Sequence, residues 1–389
     1  MNLKWSLYLG KLFGIRLYIH WTFWILILWI FLMHYRAGEN LYEATVGVLF
    51  ILALFACVVL HELGHALTAR RFHIQTRNIT LLPIGGVANL ERMPEKPGQE
   101  FLVAIAGPLV NVIIAVLLLS YMQFTGTLET AARLALTNAE TYSMTKENFV
   151  LNLMAVNIML VLFNMIPAFP MDGGRVLRAL LSYRLGRAKA TAIAATIGQL
   201  LAIVFVFFGF FYNFWLVFIG LFIFLGAGGE ASLEAAKTSL SGYTVKDVLM
   251  VRFSWLSPND TLAKAVGLLL EGQEQSFLVG DGTRVQGILT RKDIIRGLNE
   301  FGKDAFVSQV MQKNFITLHP DMPLQEVFHN MLSNGHTFVP VLDDQGHLVG
   351  VLDRENISEF LWIRSATQKK GQADFPLQKA ALSSSRYFS

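Results

Sequence analysis

The chain has 389 residues, of which 53% are hydrophobic and only 15% are charged. A soluble globular protein carries nearer a quarter charged residues, so this composition excludes a wholly soluble protein. The formal net charge is +4, and no basic stripe interleaved with aromatic residues indicates nucleic-acid binding. The single cysteine, Cys57, excludes a disulfide within the chain and a cysteine-based zinc cluster.

Apolar residues are concentrated between residues 18 and 228 and then give way to a more polar sequence. The apolar segments are about long enough to cross a hydrocarbon core of roughly 30 Å as helices. We predict six spans, at residues 17–35, 44–69, 100–122, 148–167, 190–209 and 213–228. The first span is too long for the apolar part of a signal peptide, and no small-residue cleavage site follows it.

Basic residues near the ends of these spans lie mainly on one side of the predicted membrane. The positive-inside rule then places both termini, and everything after residue 228, in the cytoplasm. An even number of spans agrees with that placement. We therefore predict a multi-pass protein of the cell (inner) membrane, with a membrane domain at residues 1–230 and a linker at 231–243.

Two stretches interrupt the helical pattern. Residues 76–91 are rich in β-branched residues and predict short strands with a turn at Gly85-Gly86. Residues 167–174 carry two prolines and two glycines, which should unwind the end of the fourth span. Irregular backbone at membrane depth is tolerated only where it is buried in protein or lines a wet cavity. The fold class is therefore a polytopic α-helical membrane domain with about six transmembrane helices and a short re-entrant β segment.

The second span ends in His61-Glu62-Leu63-Gly64-His65. Two histidines four residues apart share one face of a helix, so both imidazoles can bind one zinc ion. Glu62 then lies beside the open coordination position as a general base. Ionisable groups are costly at bilayer depth, which favours a functional metal site over a chance cluster at a helix end.

Zinc needs a third protein ligand and a position left open for water. A soluble zincin would place histidine at position 71, but that residue is Arg71, and His73 comes two places too late. Asp172, in the unwound stretch after the fourth span, is the better candidate. The alternative makes Asp172 only a turn or cap residue of the next helix.

HELGH in one span, together with Asn-Met-Ile-Pro-Ala-Phe-Pro-Met-Asp-Gly-Gly in another, resembles the site-2 protease family of intramembrane metalloproteases. The resemblance covers about residues 17–230. It implies one Zn²⁺ per chain held by His61, His65 and Asp172, with Glu62 as the catalytic residue.

The same resemblance, together with the local sequence, predicts a set of substrate-binding residues. Asn164 matches the asparagine that opens the second family pattern, which lies near the scissile peptide; its alternative role is an interhelical hydrogen bond. Asn111, after Gly107-Pro108, is ambiguous in the same way. Residues 79–86, with Gly85 and Gly86, either offer a strand edge to an extended substrate or only shield the site. Cys57 is best explained as a packing residue.

After about residue 240 the sequence predicts a soluble α/β fold in two units of similar order. Each unit has a strand, a turn, a helix and two further strands. The units at 244–300 and 301–365 resemble paired cystathionine-beta-synthase (CBS) domains, and residues 366–389 have the composition of a disordered tail.

CBS pairs often bind adenine nucleotides through a short Gly, Ser/Thr and Asp pattern. Gly287, Thr290 and Asp293 match it fully in the first repeat. Asp353 replaces the hydroxyl residue in the second repeat and would repel phosphate. We therefore expect one competent nucleotide site at most, and a purely structural or dimerising pair is the alternative.

The predicted function is intramembrane zinc endopeptidase activity on membrane-anchored proteins, modulated by nucleotide binding or homodimerisation of the CBS pair. In bacterial relatives of this kind the substrate is often a single-span protein such as an anti-sigma factor. Two alternatives stay open from the sequence, a nucleotide-gated transporter or channel and an inactive protease-like scaffold. The predicted partners are the lipid bilayer and that substrate, with no nucleic acid.

Overall fold

The computed structural model describes residues 5–36, 41–83, 85–129, 148–272 and 274–368. It divides into two compact units, Met1–Ser232 and Leu233–Ser389. Of the predicted disordered tail, residues 369–389 lie outside the described residues.

The first unit combines a small sheet with long apolar helices. Its elements in chain order are β1 (Ser6–Leu12), β2 (Ile15–His20), α1 (Thr22–Arg36), α2 (Leu41–Arg70), β3 (Thr76–Leu82), β4 (Gly85–Leu90), α3 (Pro97–Phe124), α4 (Phe149–Asn164), α5 (Asp172–Leu185), α6 (Arg187–Phe211) and α7 (Trp215–Ser239).

Four described helices, α2, α3, α6 and α7, are long and apolar enough to cross a membrane. Helices α1 and α4 are apolar but shorter, with apolar stretches at Thr22–Met33 and Phe149–Asn164. The predicted start of the first span at residue 17 is wrong, because Ile15–His20 forms strand β2. Strand β2 pairs with β1 and with β3 along this stretch, so residues 15–20 are extended and not helical.

The described strands of this unit form one sheet in the order β1-β2-β3-β4. The β2–β3 pair is parallel and the two outer pairs are antiparallel. Ile15 of β2 and Ile79 of β3 pack against Leu63 and Ala66 of α2. The sheet is thereby fixed on the turn of α2 that carries the HELGH sequence.

Helices α2 and α3 approach closely at Gly64 of α2. A Cβ on Gly64 would lie 2.7 Å from the carbonyl oxygen of Ala106, so a larger side chain has no room there. Small residues at such crossings let membrane helices pack backbone to backbone. The crossing brings the HELGH turn of α2 against the middle of α3.

A buried ion-pair cluster lies beside helix α5. Arg178 is fully buried; its Nε donates to Glu100 Oε1 at 2.7 Å and its Nη1 donates to Glu230 Oε1 at 2.6 Å. The other oxygen of Glu100 accepts from Arg187 at 2.8 Å. The guanidinium also lies 4.9 Å from the ring centroid of Phe169, in the loop before Asp172. The cluster ties α3, α5, α6 and α7 together.

The second unit contains two similar halves. Its elements are β5 (Trp255–Leu256), α8 (Leu262–Glu271), β6 (Ser276–Gly280), β7 (Val285–Thr290), α9 (Arg291–Phe301), α10 (Val307–Val310), α11 (Leu324–Asn334), β8 (Phe338–Leu342), β9 (Leu348–Asp353) and α12 (Arg354–Gln368). In each half a helix precedes an antiparallel strand pair, and a further helix follows at once. Leu278 and Ile288 of one pair pack with Phe338 and Val351 of the other.

Candidate metal centre

Three predicted metal ligands, far apart in sequence, meet inside the first unit. The Nε2 atoms of His61 and His65 lie 3.1 Å apart, and Asp172 Oδ2 lies 3.3 Å from the first and 3.1 Å from the second. All three side chains are buried. Helix α2 provides both imidazoles one turn apart, and the first residue of α5 provides the carboxylate.

This triangle has the dimensions of a zinc site. Two atoms bound to one tetrahedral zinc ion at about 2.0–2.1 Å lie roughly 3.3–3.4 Å from each other. The three observed separations of 3.1, 3.1 and 3.3 Å come within about 0.3 Å of that value. Three protein ligands with a fourth position for water is also the usual composition of a catalytic zinc site. The residues therefore fit zinc.

Each imidazole is oriented by a hydrogen bond from its other ring nitrogen. His61 Nδ1 lies 2.6 Å from Asn111 Oδ1, and His65 Nδ1 lies 2.7 Å from the backbone oxygen of Val103. Both partners accept hydrogen bonds here, so each Nδ1 carries the proton and each Nε2 presents a lone pair to the centre of the triangle. Helix α3 provides both partners, which makes it the element that sets the tautomers.

Gly107 of α3 lies against the two ligand atoms. A Cβ at this position would contact His65 Nε2 and would lie 2.7 Å from His61 Nε2. Only glycine leaves this side of the triangle open. Gly107 was not predicted as a site residue, although it comes directly before Pro108 in a largely apolar span.

Glu62 is next to the ligands in sequence and lies on the side of the helix that faces the sheet. A Cβ on Gly86 of β4 would be 3.0 Å from the Cγ of Glu62. Glu62 is only partly exposed, whereas the three side chains of the triangle are buried. The predicted general base thus lies between the metal centre and the first residues of β4.

Gly85 and Gly86 begin β4, and this strand lies at one edge of the sheet among the described strands. Gly85 has a φ of +136°, which a residue with a side chain rarely adopts. Strand β3, which contains the first half of the predicted residues 79–86, is paired on both sides and offers no free edge. The unpaired edge of this segment is therefore that of β4.

The two predicted asparagines occupy different environments. Asn111 is fully buried, and its Nδ2 donates to Asn157 Oδ1 at 2.8 Å while its Oδ1 accepts from His61. Asn164 is half-buried at the end of α4, where its Nδ2 donates to the backbone oxygen of Leu160 at 3.0 Å. A substrate-binding role stays a prediction for both residues. Asn157 was missed, because a single asparagine in an apolar helix gives no sequence signal for its partner.

The predicted nucleotide residues lie together in the second unit, where β7 meets α9. Asp293 Oδ2 accepts from Thr290 Oγ1 at 2.6 Å and from Gln312 Nε2 at 2.7 Å, and Oδ1 accepts from Arg296 at 3.0 Å. Thr290 and Asp293 form a capping box for α9. A ribose that used this carboxylate would have to replace some of these donors, so nucleotide binding stays a prediction.

Gly287 belongs to the predicted nucleotide pattern of the first repeat, and Asp353 to the corresponding positions of the second. Gly287 lies against the Met311 side chain, since a Cβ there would be 2.7 Å from its sulfur. Asp353 is the counterpart of Thr290, and its Oδ1 accepts from the backbone nitrogen of Glu355 at 3.0 Å. Burial raises the pKa of Asp353 above its ordinary value, and two nearby carboxylates add to the effect.

Comparison with known proteins gives matches over both units. The model of peptidase family M50 matches residues 49–205, and the model of the CBS domain matches 245–300 and 307–363. A zinc metalloprotease of Methanocaldococcus jannaschii is 32% identical over 356 residues, covering 91% of this chain and 96% of that protein. A putative zinc metalloprotease of Synechocystis is 28% identical over 381 residues, covering 92% and 96%. A solved site-2 protease from Methanocaldococcus jannaschii is 38% identical and covers 58% of this chain and 95% of that chain, with a TM-score of 0.41.

Proposed function

Since the chain belongs to peptidase family M50 and is a multi-pass zinc metalloprotease with a CBS-domain pair, we propose that it cleaves the transmembrane segments of membrane-anchored proteins within the bilayer. The observation that carries this proposal is the buried triangle of His61, His65 and Asp172. Its members come from an apolar helix long enough to span the membrane and from the first residue of α5, directly after the irregular segment that follows another apolar helix.

We assign the roles as follows. His61, His65 and Asp172 hold the zinc ion, which supplies polarisation of a water molecule and a lowered pKa for it. The Glu62 carboxylate would take a proton from the attacking water and would return it to the leaving amine. Its half-buried position between the ligands and β4 supports this role, since a proton shuttle must reach both the water and the substrate.

The substrate segment is proposed to bind as an added strand on β4. A transmembrane helix must unwind before its backbone is accessible, and an unpaired strand edge satisfies the hydrogen-bonding groups that unwinding releases. Gly86 has no side chain between this strand and Glu62, so an added strand would pass close to the general base. Asn164 is proposed to bind the substrate backbone from the end of α4.

We further propose that the CBS pair and both termini are cytoplasmic and that the pair regulates cleavage through adenine nucleotide binding or homodimerisation. The lopsided distribution of basic residues supports the orientation. The full Gly287, Thr290 and Asp293 pattern supports a single nucleotide site in the first repeat. The substrate class is a single-span membrane protein, of which an anti-sigma factor is one example.

The experiment compares membrane fractions from cells that express the wild type or Glu62→Gln at equal levels. Quantitative proteomics should reveal single-span proteins whose soluble fragments appear only with the wild type. Each candidate is then cleaved by the purified protease in liposomes, and the cut site is mapped by mass spectrometry. Zinc content of Glu62→Gln should equal that of the wild type, because Glu62 is not a ligand. Normal cleavage by this variant, or cut sites confined to soluble regions, would refute the proposal.

A further inference from the structure

A line of buried hydrogen bonds leads away from the metal centre through three helices. Asn111 of α3 accepts from His61 and donates to Asn157 Oδ1 on α4 at 2.8 Å. The Nδ2 of Asn157 donates to the backbone oxygen of Leu153 at 2.8 Å and points its second hydrogen to Cys57 Sγ at 3.5 Å. Asn111 and Asn157 are both 0% exposed, so their described partners are these protein groups.

The direction of donation is the same along the whole line. His61 donates to Asn111, Asn111 donates to Asn157, and Asn157 donates to Leu153. A backbone carbonyl oxygen can only accept, so the Asn157 amide must turn its nitrogen toward Leu153 to bond with it. That requirement turns the amide oxygen of Asn157 toward Asn111.

An amide has two ends, and only one orientation of Asn111 supports metal binding. With its nitrogen held by Asn157, Asn111 presents its oxygen to His61, which keeps the proton on Nδ1 and leaves Nε2 free to bind zinc. The reverse orientation would present an N–H group to Nδ1. The proton of His61 would then move to Nε2, where it faces the two other ligands and competes with the metal.

We propose that Asn157 is a positioning residue for the zinc protease reaction, which fixes the metal-binding tautomer of His61 through Asn111. It touches neither the metal nor the substrate. The hydrogen bond to the backbone oxygen of Leu153 orients the Asn157 amide. The Asn157 amide in turn orients the Asn111 amide, which contacts His61. The inference rests on the proposed role of His61 as a zinc ligand.

The orientation of His61 depends on side chains because the site is buried and water cannot take their place. In water, a solvent molecule could accept the Nδ1 proton of His61 whatever the orientation of a neighbouring amide. In a buried site between apolar helices no water can replace a missing partner, so an unmatched N–H or oxygen destabilises the arrangement. Each amide in the line therefore fixes the orientation of the next group, and a substitution at Asn157 should change the position of the proton on His61.

The test uses the full-length protein in detergent, with zinc affinity measured by competition against a chelator. Asn157→Leu removes the acceptor of Asn111, and zinc affinity should fall about tenfold, the lower end of the range for outer partners of metal ligands. Asn152→Leu makes the same change on the same helix at a half-buried position and should leave zinc affinity unchanged. The absorption spectrum of the cobalt-loaded protein, which reports the ligand set, should change only for the first variant.

A double-variant cycle separates this role from a general loss of structure. If Asn157 acts through Asn111, Asn157→Leu lowers zinc affinity in the wild type but not in an Asn111→Ala background. Additive losses would overturn the proposal, as would unchanged affinity and spectrum in Asn157→Leu. If Asn157→Leu does not fold, Asn157→Ser replaces it, because a serine hydroxyl can still donate to Leu153 but is too short to reach Asn111.

Failure of this inference is distinguishable from failure of the proposed function. His61→Ala should lose zinc if the ligand assignment is right, whatever Asn157 does. Saturating zinc should restore most of the cleavage activity of Asn157→Leu, since the variant keeps all three ligands and Glu62. An effect on activity that zinc does not restore, with affinity intact, would also overturn the positioning role.

Discussion

Gly107→Ala is the smallest change that should empty the metal centre. The added Cβ would lie 2.7 Å from His61 Nε2 and would contact His65 Nε2, whereas ordinary contacts begin at 3.4 Å. His61 would have to retreat by about 0.7 Å, the difference between those two distances. Zinc–ligand distances tolerate changes of only about 0.2 Å, so the required shift exceeds what the site can accept.

The imidazoles have little freedom to make this shift. Each Nδ1 is held at 2.6–2.7 Å by its partner on α3, the same helix that carries Gly107. A movement of the ring away from the methyl group stretches that hydrogen bond as well. Zinc affinity should therefore fall by about 100-fold or more, the upper end of the effects seen for outer partners of metal ligands.

The assay is the zinc content of the purified protein after dialysis against a zinc-buffered solution, with the dissociation constant from chelator competition. Gly229→Ala is the matched control, because a Cβ on this glycine of α7 has nothing within 4 Å. It should bind one zinc per chain with wild-type affinity. Full zinc binding by Gly107→Ala with unchanged affinity would refute the argument that the ligand atoms meet beside this glycine.

Three further predictions concern charge. Glu100→Ala leaves Arg178 buried beside only one carboxylate, and it should destabilise the protein by about 3–5 kcal/mol in denaturant unfolding. Glu91→Ala removes a carboxylate from an ion pair that is about half exposed and should destabilise it by only about 0–1 kcal/mol. Equal losses would contradict the role of burial. Asp353→Asn should raise the melting temperature at pH 7. A carboxyl whose pKa is raised on folding lowers stability as the pH rises from its unfolded to its folded pKa, so the gain should vanish below the unfolded pKa. A gain that is independent of pH would contradict this reasoning. If Asp293 binds the ribose of AMP, Asp293→Asn should weaken AMP binding about tenfold or more in calorimetry. Gln312→Leu should strengthen AMP binding, because it removes a donor that competes for the Asp293 carboxylate. Changes of the same sign would exclude ribose binding by Asp293.

The sequence was sufficient to predict the three side chains that meet in the metal centre, but not what orients them. His61 and His65 are readable because helical spacing alone puts them on one face, and Asp172 stands out as an acidic residue in a broken apolar segment. Asn111 was noticed only as an ambiguous polar residue. Its function depends on which end of its amide faces His61, and that is decided by a backbone oxygen on another helix. No local pattern contains this information.

The N-terminal strands were missed for a different reason. Residues 17–19 are largely apolar and lie only two residues before α1, so a window long enough to detect a membrane span includes both elements. The alternation of Ile15, Arg16 and Leu17 is a strand signal, but it is short. Its correct interpretation depends on β3, a neighbour some sixty residues later that pairs with β2 in parallel.

The first CBS repeat shows how one short pattern can serve two purposes. A threonine followed three residues later by an acidic residue is a nucleotide motif in this family, and it also resembles a capping box at the start of a helix. In α9 the hydroxyl and carboxylate make the capping contacts, and Gln312 and Arg296 occupy the remaining positions of the carboxylate. Asp353 in the second repeat can cap α12 without a hydroxyl, so helix capping alone explains both residues. A nucleotide can therefore bind here only if Asp293 exchanges its present hydrogen-bond donors for the ribose. Opposite effects of Asp293→Asn and Gln312→Leu on nucleotide affinity would demonstrate that exchange.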